Sequence, residues 1–154
     1  MQDPELIEEA RKLLARERLA ILSTLSLAHE GHPFGSILPY ALNRSGAPVI
    51  LISTLAVHTK NLAADNRGSL MVLEEAWRED PQAAGRLTVM GRWTPLPASD
   101  LDDVKKRYLE RHPTAEQLFA MKDFSFHVMQ PEHARFVAGF GRMGWLTGGE
   151  LLPG

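Results

Sequence analysis

The stretch Glu132-His133-Ala134-Arg135-Phe136-Val137-Ala138-Gly139-Phe140-Gly141-Arg142-Met143-Gly144-Trp145 decides how this chain is read. Apolar residues alternate through its first part, the period of a strand with one buried face. The alternation then breaks into glycines, an arginine and an aromatic. Gly139, Gly141 and Gly144 let a backbone bend sharply or approach a ligand, while Arg142 and Trp145 offer charge and a stacking surface. A glycine-rich bulge in a barrel strand has the same spacing, so the spacing alone leaves both readings open.

A second stretch complements it: Val49-Ile50-Leu51-Ile52 reads as a buried strand, and Ser53 to Ala56 lead from it into a helix carrying His58, Thr59, Lys60 and Asn61 in its first turns. Unpaired backbone N–H groups at a helix start, with a lysine beside them, favour a phosphate. A solvated helix face carries the same residue types.

Outward from these two stretches, the chain reads as short strands joined by turns. Asp3-Pro4-Glu5 supplies a cap, a first-turn proline and an early acid for an amphipathic helix through Leu6, Ile7, Ala10, Leu13 and Leu14. Leu19, Ile21, Leu25 and Leu27 share one parity, and His29-Glu30-Gly31-His32-Pro33 separates them from a strand over Phe34 to Leu42. That strand contains Pro39, which marks an edge, a bulge or a place where a ligand meets the backbone. Strands are also predicted at Ser69–Leu73 and Leu87–Trp93, and a helix at Ser99–Arg111. Thr114-Ala115-Glu116-Gln117 suits a capping box for another short helix. Phe124, Phe126 and Val128 begin a penultimate strand, Pro131 interrupts it, and Phe136 to Phe140 form the last. Strands in this number, with helices only as connectors, indicate an antiparallel barrel.

The 154 residues, 44% of them hydrophobic, suffice for one core and predict a single domain over 1–154. With 17 basic and 19 acidic residues there is no surplus of positive charge to hold a nucleic acid. The absence of cysteine excludes disulfides, thiolate metal sites and a cysteine nucleophile. No apolar run approaches the roughly 18 residues of a membrane span, and the acidic amphipathic amino terminus is unlike a leader, so a cytoplasmic location is expected. The six histidines show neither an HxxxH pair nor a carboxylate cluster at ligand spacing, and no metal site is expected.

Together the two stretches resemble the flavin-binding split-barrel family, which includes the pyridoxamine 5'-phosphate oxidases, and especially its haem-utilisation branch. The resemblance runs from about Leu13 to Leu146, and Val137-Ala138-Gly139-Phe140-Gly141-Arg142 carries the likeness to the haem branch. It implies a mainly β fold with connecting helices, an antiparallel split β-barrel of the FMN-binding type with an N-terminal helix, assembled as a homodimer. By resemblance, Ser53, His58, Thr59 and Lys60 hold the ribityl phosphate, with Ile52 and Asn61 beside them. The main chain of Ser36, Ile37, Leu38 and Pro39 faces the isoalloxazine ring, and the segment with Arg142 and Trp145 reaches across the dimer interface toward the partner's cofactor. Typical pyridoxamine phosphate oxidases carry basic residues at both ends of the β strand that here has Ser36 and Tyr40, so their substrate chemistry is not carried over.

The resulting expectation is an FMN-binding flavoprotein, an oxidoreductase acting on a small molecule. The flavin would carry the electrons, so the polypeptide needs no catalytic triad. A haem-binding or haem-utilisation protein is the alternative. Haem iron usually takes an axial histidine, none follows His133, and His127 and His133 are the candidates. A cofactor-free dimeric interaction module is the third reading.

Overall fold

The computed structural model describes residues 3–139 and 141–153. Phe140, expected in the last strand, lies outside the described residues. The chain opens with helix α1 (Pro4–Arg16), whose first turn is fixed by the Asp3 carboxylate accepting from the Glu5 N–H at 2.9 Å. Leu6, Ala10, Leu13 and Leu14 form its buried stripe.

That stripe packs against one face of an eight-stranded antiparallel sheet. The strands are β1 (Leu19–Leu25), β2 (Pro33–Pro39), β3 (Ala41–Leu42), β4 (Pro48–Ser53), β5 (Arg67–Leu73), β6 (Arg86–Pro95), β7 (Phe124–Gly139) and β8 (Arg142–Thr147). Their order is β2-β1-β5-β6-β7-β4-β3, with β8 also paired to β7. The edge strand β2 approaches β4, so the sheet curls round without a hydrogen-bonded seam between them among the described residues. The result is a half-barrel, open along one side. Its interior is filled by Ala20, Leu22, Leu70, Val72, Leu87, Val89, Ala134, Phe136 and Leu146 under α1.

Helix α2 (Val57–Ala64) joins β4 to β5, and α3 (Leu101–Arg111) and α4 (Glu116–Phe119) join β6 to β7. A second core of Ala41, Val49, Val104, Tyr108, Ala115 and Phe126 seals α3 against the outside of β3 and β4. Tyr108 meets Phe126 edge-on, with ring centroids 5.3 Å apart.

Three details depart from the sequence expectations. Pro131 does not end a strand: β7 runs through it for 16 residues. One edge of β7 pairs with β6 along most of its length, while the other is shared between β4, opposite Phe124–Val128, and β8, opposite His133–Gly139. Pro131 falls in the gap between those two partners, where that edge has no ladder for a missing N–H to interrupt. The glycine-rich segment after it is a hairpin turn, with Gly139 and Gly141 at φ of +98° and +81°, leading into β8, a strand the sequence reading missed. Finally, no capping box forms at Thr114. Pro113 starts a 3-10 turn, which leaves Ala115 at the cap position of α4. The box forms instead at Thr147 and Glu150, opening helix α5 (Gly148–Leu151).

Candidate functional site

The fold leaves the face of the sheet away from α1 open, with Leu19, Ile37, Met143 and Trp145 exposed on it. Strand pairing aligns Ile37, Ile21, Met71, Thr88, Arg135 and Trp145 in one row across six strands. Ile37 is 74% exposed, Leu19 57%, Trp145 54% and Met143 47%. The shared parity of Leu19, Ile21 and Leu25 therefore marks this outer surface, while Ala20 and Leu22 fill the core. Both faces of β1 are apolar, and only its pairing and α1 determine which one is covered.

The residues expected to hold a cofactor divide between the two ends of this surface. On β2, Ile37 and Pro39 face outward, Ser36 is half-buried and Leu38 is buried. Tyr40 is buried, donates its hydroxyl to the Leu14 carbonyl at 2.5 Å and has a pKa raised by burial, so it presents no group to a ligand. At the end of β4, Ile52 is in the core, and the Ser53 hydroxyl donates to Asp123 at 2.9 Å while accepting from the Leu55 N–H at 3.1 Å.

On α2, Lys60 is exposed, and the Thr59 hydroxyl is enclosed without a hydrogen-bond partner. His58 is partly buried, which lowers its pKa. Asn61 is 1% exposed, and its amide is committed to the fold: it donates to the Thr24 hydroxyl at 3.0 Å and accepts from the Leu27 N–H at 2.9 Å, tying α2 to β1. Arg142 forms an ion pair with Glu9 of α1 at 3.0 Å. Trp145 stands at the far end of the outer row from Ile37, five strand spacings away, on the order of 24 Å along the sheet. One chain therefore does not bring Trp145 to β2.

Between these ends lies a hollow of about 300 Å³, lined among others by Ser23, Arg67, Gly68, Ser69, Met90 and Glu132. Gly68 and Gly91 face each other across β5 and β6 in its lining. A Cβ on Gly68 would press on the Trp93 indole nitrogen at 3.0 Å, and one on Gly91 would overlap the Gln130 carbonyl. Opposite Met90 and Gly91 the β6–β7 register shifts, inserting an extra residue. This bulge breaks the alternation of β7, so Glu132 and His133 are both exposed between buried Pro131 and Ala134. Arg135, two residues on, is on the same outer face with its guanidinium 5.5 Å from the centre of the Trp145 ring. The sequence reading passed over Met90, Glu132 and Arg135. The available signal was the pair of polar residues after Pro131, which breaks the apolar period.

The histidines differ sharply in what they can offer a metal or a porphyrin. His112 is held by the Tyr40 carbonyl at 2.7 Å, and His32 by the His29 carbonyl at 2.8 Å. His127 is opposite the core residue Ile50, its Nδ1 is enclosed without a partner, and burial lowers its pKa. His133 is exposed beside the hollow. No group of three or more metal-binding side chains occurs among the described residues, and no helix among them is long and apolar enough to cross a membrane. An iron porphyrin needs an axial donor, flat apolar contact and cations for its carboxylates. The outer face fits on all three counts, with His133, with Ile21, Met71 and Met90, and with Arg135.

Comparison with known proteins points the same way. The chain is 34% identical over 133 residues to the chloroplastic non-canonical heme oxygenase HOZ of Arabidopsis thaliana, a match covering 86% of this chain and 40% of that protein. It is 28% identical to the heme oxygenase HutZ of Vibrio cholerae over 89% of this chain and 80% of that one. The structure of a heme binding protein from Mycobacterium smegmatis superposes with a TM-score of 0.89 at 32% identity, covering 98% of this chain and 61% of that one. The chain thus spans less than two thirds of the plant and mycobacterial proteins. At the level of fold alone, a Clostridium acetobutylicum protein of the pyridoxinephosphate oxidase family superposes with a TM-score of 0.73 at 12% identity, over 97% and 99% of the two chains. The half-barrel is thus a split barrel of the oxidase type, and the similarity to haem proteins ranks the haem alternative above the flavin expectation. With residues 4–151 matching the model of the CREG β-barrel, the chain belongs to that family.

Proposed function

We propose that this protein binds haem on the outer face of its sheet, as a homodimer, and serves in haem utilisation. The observation that carries the reading is the juxtaposition on that face of apolar side chains, an exposed imidazole at a bulge and a cation that forms no ion pair among the described residues. Similarity to three haem proteins over most of the chain supports it. Bound haem would supply the oxygen and electron chemistry of its iron. The chain's part is to offer a flat surface, to exclude water from it and to orient the porphyrin by its carboxylates.

Leu19, Ile37, Met143 and Trp145 form the apolar margin of the same face, and a second copy covering them would enclose the ligand. It would also bring one chain's Trp145 to the other's β2, which one chain alone does not do.

Flavin binding is the second reading, favoured by the enclosed and unpartnered Thr59 hydroxyl beside exposed Lys60. Parallel titrations of haemin, FMN and riboflavin into the purified protein distinguish the two. The proposal expects a saturable Soret change at one haemin per subunit. If haemin leaves no defined spectrum while FMN binds more tightly than riboflavin and Lys60→Ala abolishes that difference, the flavin reading takes its place.

A further inference from the structure

We infer that His133 is the axial ligand of haem in this chain, with Arg135 holding a haem carboxylate; the inference rests on the haem-binding reading above. An axial ligand needs an imidazole nitrogen that can leave the protein surface and meet a flat ring. Of the other histidines, His112 and His32 are hydrogen-bonded to backbone carbonyls, His127 pairs with the core residue Ile50 and has its Nδ1 enclosed, His58 is half-buried on α2, and His29 lies in the turn between β1 and β2.

His133 is different because of the bulge. In an unbroken strand, Glu132 and His133 would point to opposite faces. The extra residue opposite Met90 and Gly91 turns both outward, next to the hollow lined by Ser23, Ser69 and Met90. Bulges re-aim side chains in this way at the cost of local pairing. The same stretch of backbone is rigidly backed: a Cβ on Gly148 would overlap the Pro131 carbonyl just as one on Gly91 would overlap that of Gln130.

Arg135 follows His133 by two residues on the same face, about 7 Å farther along the strand. Its guanidinium is stacked on Trp145 and forms no ion pair among the described residues, whereas Arg67 and Arg92 are paired to Asp65 and Glu132. A ring ligated at His133 would lie beside Met90 and the hollow, with Arg135 two residues along the same face to meet a carboxylate.

The test is a haemin titration of the full chain followed by absorption spectroscopy. His133→Ala should shift the Soret band and lower haemin affinity by roughly tenfold or more, at least the loss seen when a group that merely orients a metal's ligand is removed. Added imidazole should restore the wild-type spectrum. His127→Gln and His29→Ala should keep it. Arg135→Gln should weaken haemin while leaving affinity for the dimethyl ester of haemin unchanged. Urea midpoints equal to wild type verify that the exposed substitutions leave the fold intact. A wild-type Soret band and affinity in His133→Ala would overturn the assignment and leave haem binding standing. Failure of the wild-type chain to bind haemin would overturn both.

Discussion

Asn61 is where a cofactor assignment and a structural one make opposite forecasts. Its amide makes two hydrogen bonds, to Thr24 and from Leu27, in a site that is 1% exposed. Each such bond contributes about 1 kcal/mol net, and an enclosed partner left unpaired costs about 1–3 kcal/mol more. The Leu27 N–H is only partly buried and regains some water, so Asn61→Ala should destabilise the fold by about 2–4 kcal/mol. With a urea dependence of about 2 kcal/mol per molar, the unfolding midpoint should fall by about 1–2 M. Asn61→Asp retains the acceptor for Leu27 but buries a carboxylate, so relative to wild type it should lose less at pH 5 than at pH 8. A double-mutant cycle with Thr24→Ala isolates the side-chain pair and should give a coupling of about 1 kcal/mol. Haemin or FMN affinity of the folded variant should be unchanged. The reasoning is refuted if the midpoint moves by less than about 0.2 M while ligand affinity collapses.

Burial lowers the pKa of His58, His112 and His127, so each contributes stability that is complete above its unfolded value of 6.5 and is lost as pH falls toward the lower folded value. Thermal midpoints should therefore be level from about pH 7.5 upward and decline toward pH 5, with a shallower decline in His112→Gln. Gly91→Ala forces a methyl into the Gln130 carbonyl and should cost about 1–3 kcal/mol in urea unfolding, with haemin affinity also reduced because the neighbouring bulge must shift. For the proposed dimer, Ile37→Glu places a charge on the outer face; sedimentation should show wild-type dimer and variant monomer at micromolar concentration, and an unchanged variant dimer would place the interface elsewhere.

Much of the fold was legible before any coordinates. The Asp3 cap and the Leu6, Ala10, Leu13, Leu14 stripe are local, so they act the same way in any context. The alternation of Leu87, Val89 and Trp93 likewise gave β6 its inner face. Pro131 misled because a proline disrupts a strand only where its missing N–H has a partner, and partners are set by strands far away in sequence. Thr114 misled for a related reason: the proline before it had already started a tighter turn.

The candidate site shows the same division. Sequence alone determined that the chain is rich in strands and without thiols, that glycines, Arg142 and Trp145 cluster near its end, and that its histidines form no HxxxH pair. It could not say which apolar face of β1 is buried, since period-2 patterning is satisfied by either. Nor could it show that Asn61 is spent on Thr24, that Arg142 is paired to Glu9, or that Glu132 and His133 share a face. Those depend on register: a bulge is an extra residue relative to a partner strand, and the partner Met90 lies more than forty positions away in the chain. Residue type and spacing are properties of one segment, whereas exposure, pairing and the direction a side chain takes at a bulge belong to two segments at once, and only the packed sheet brings them together.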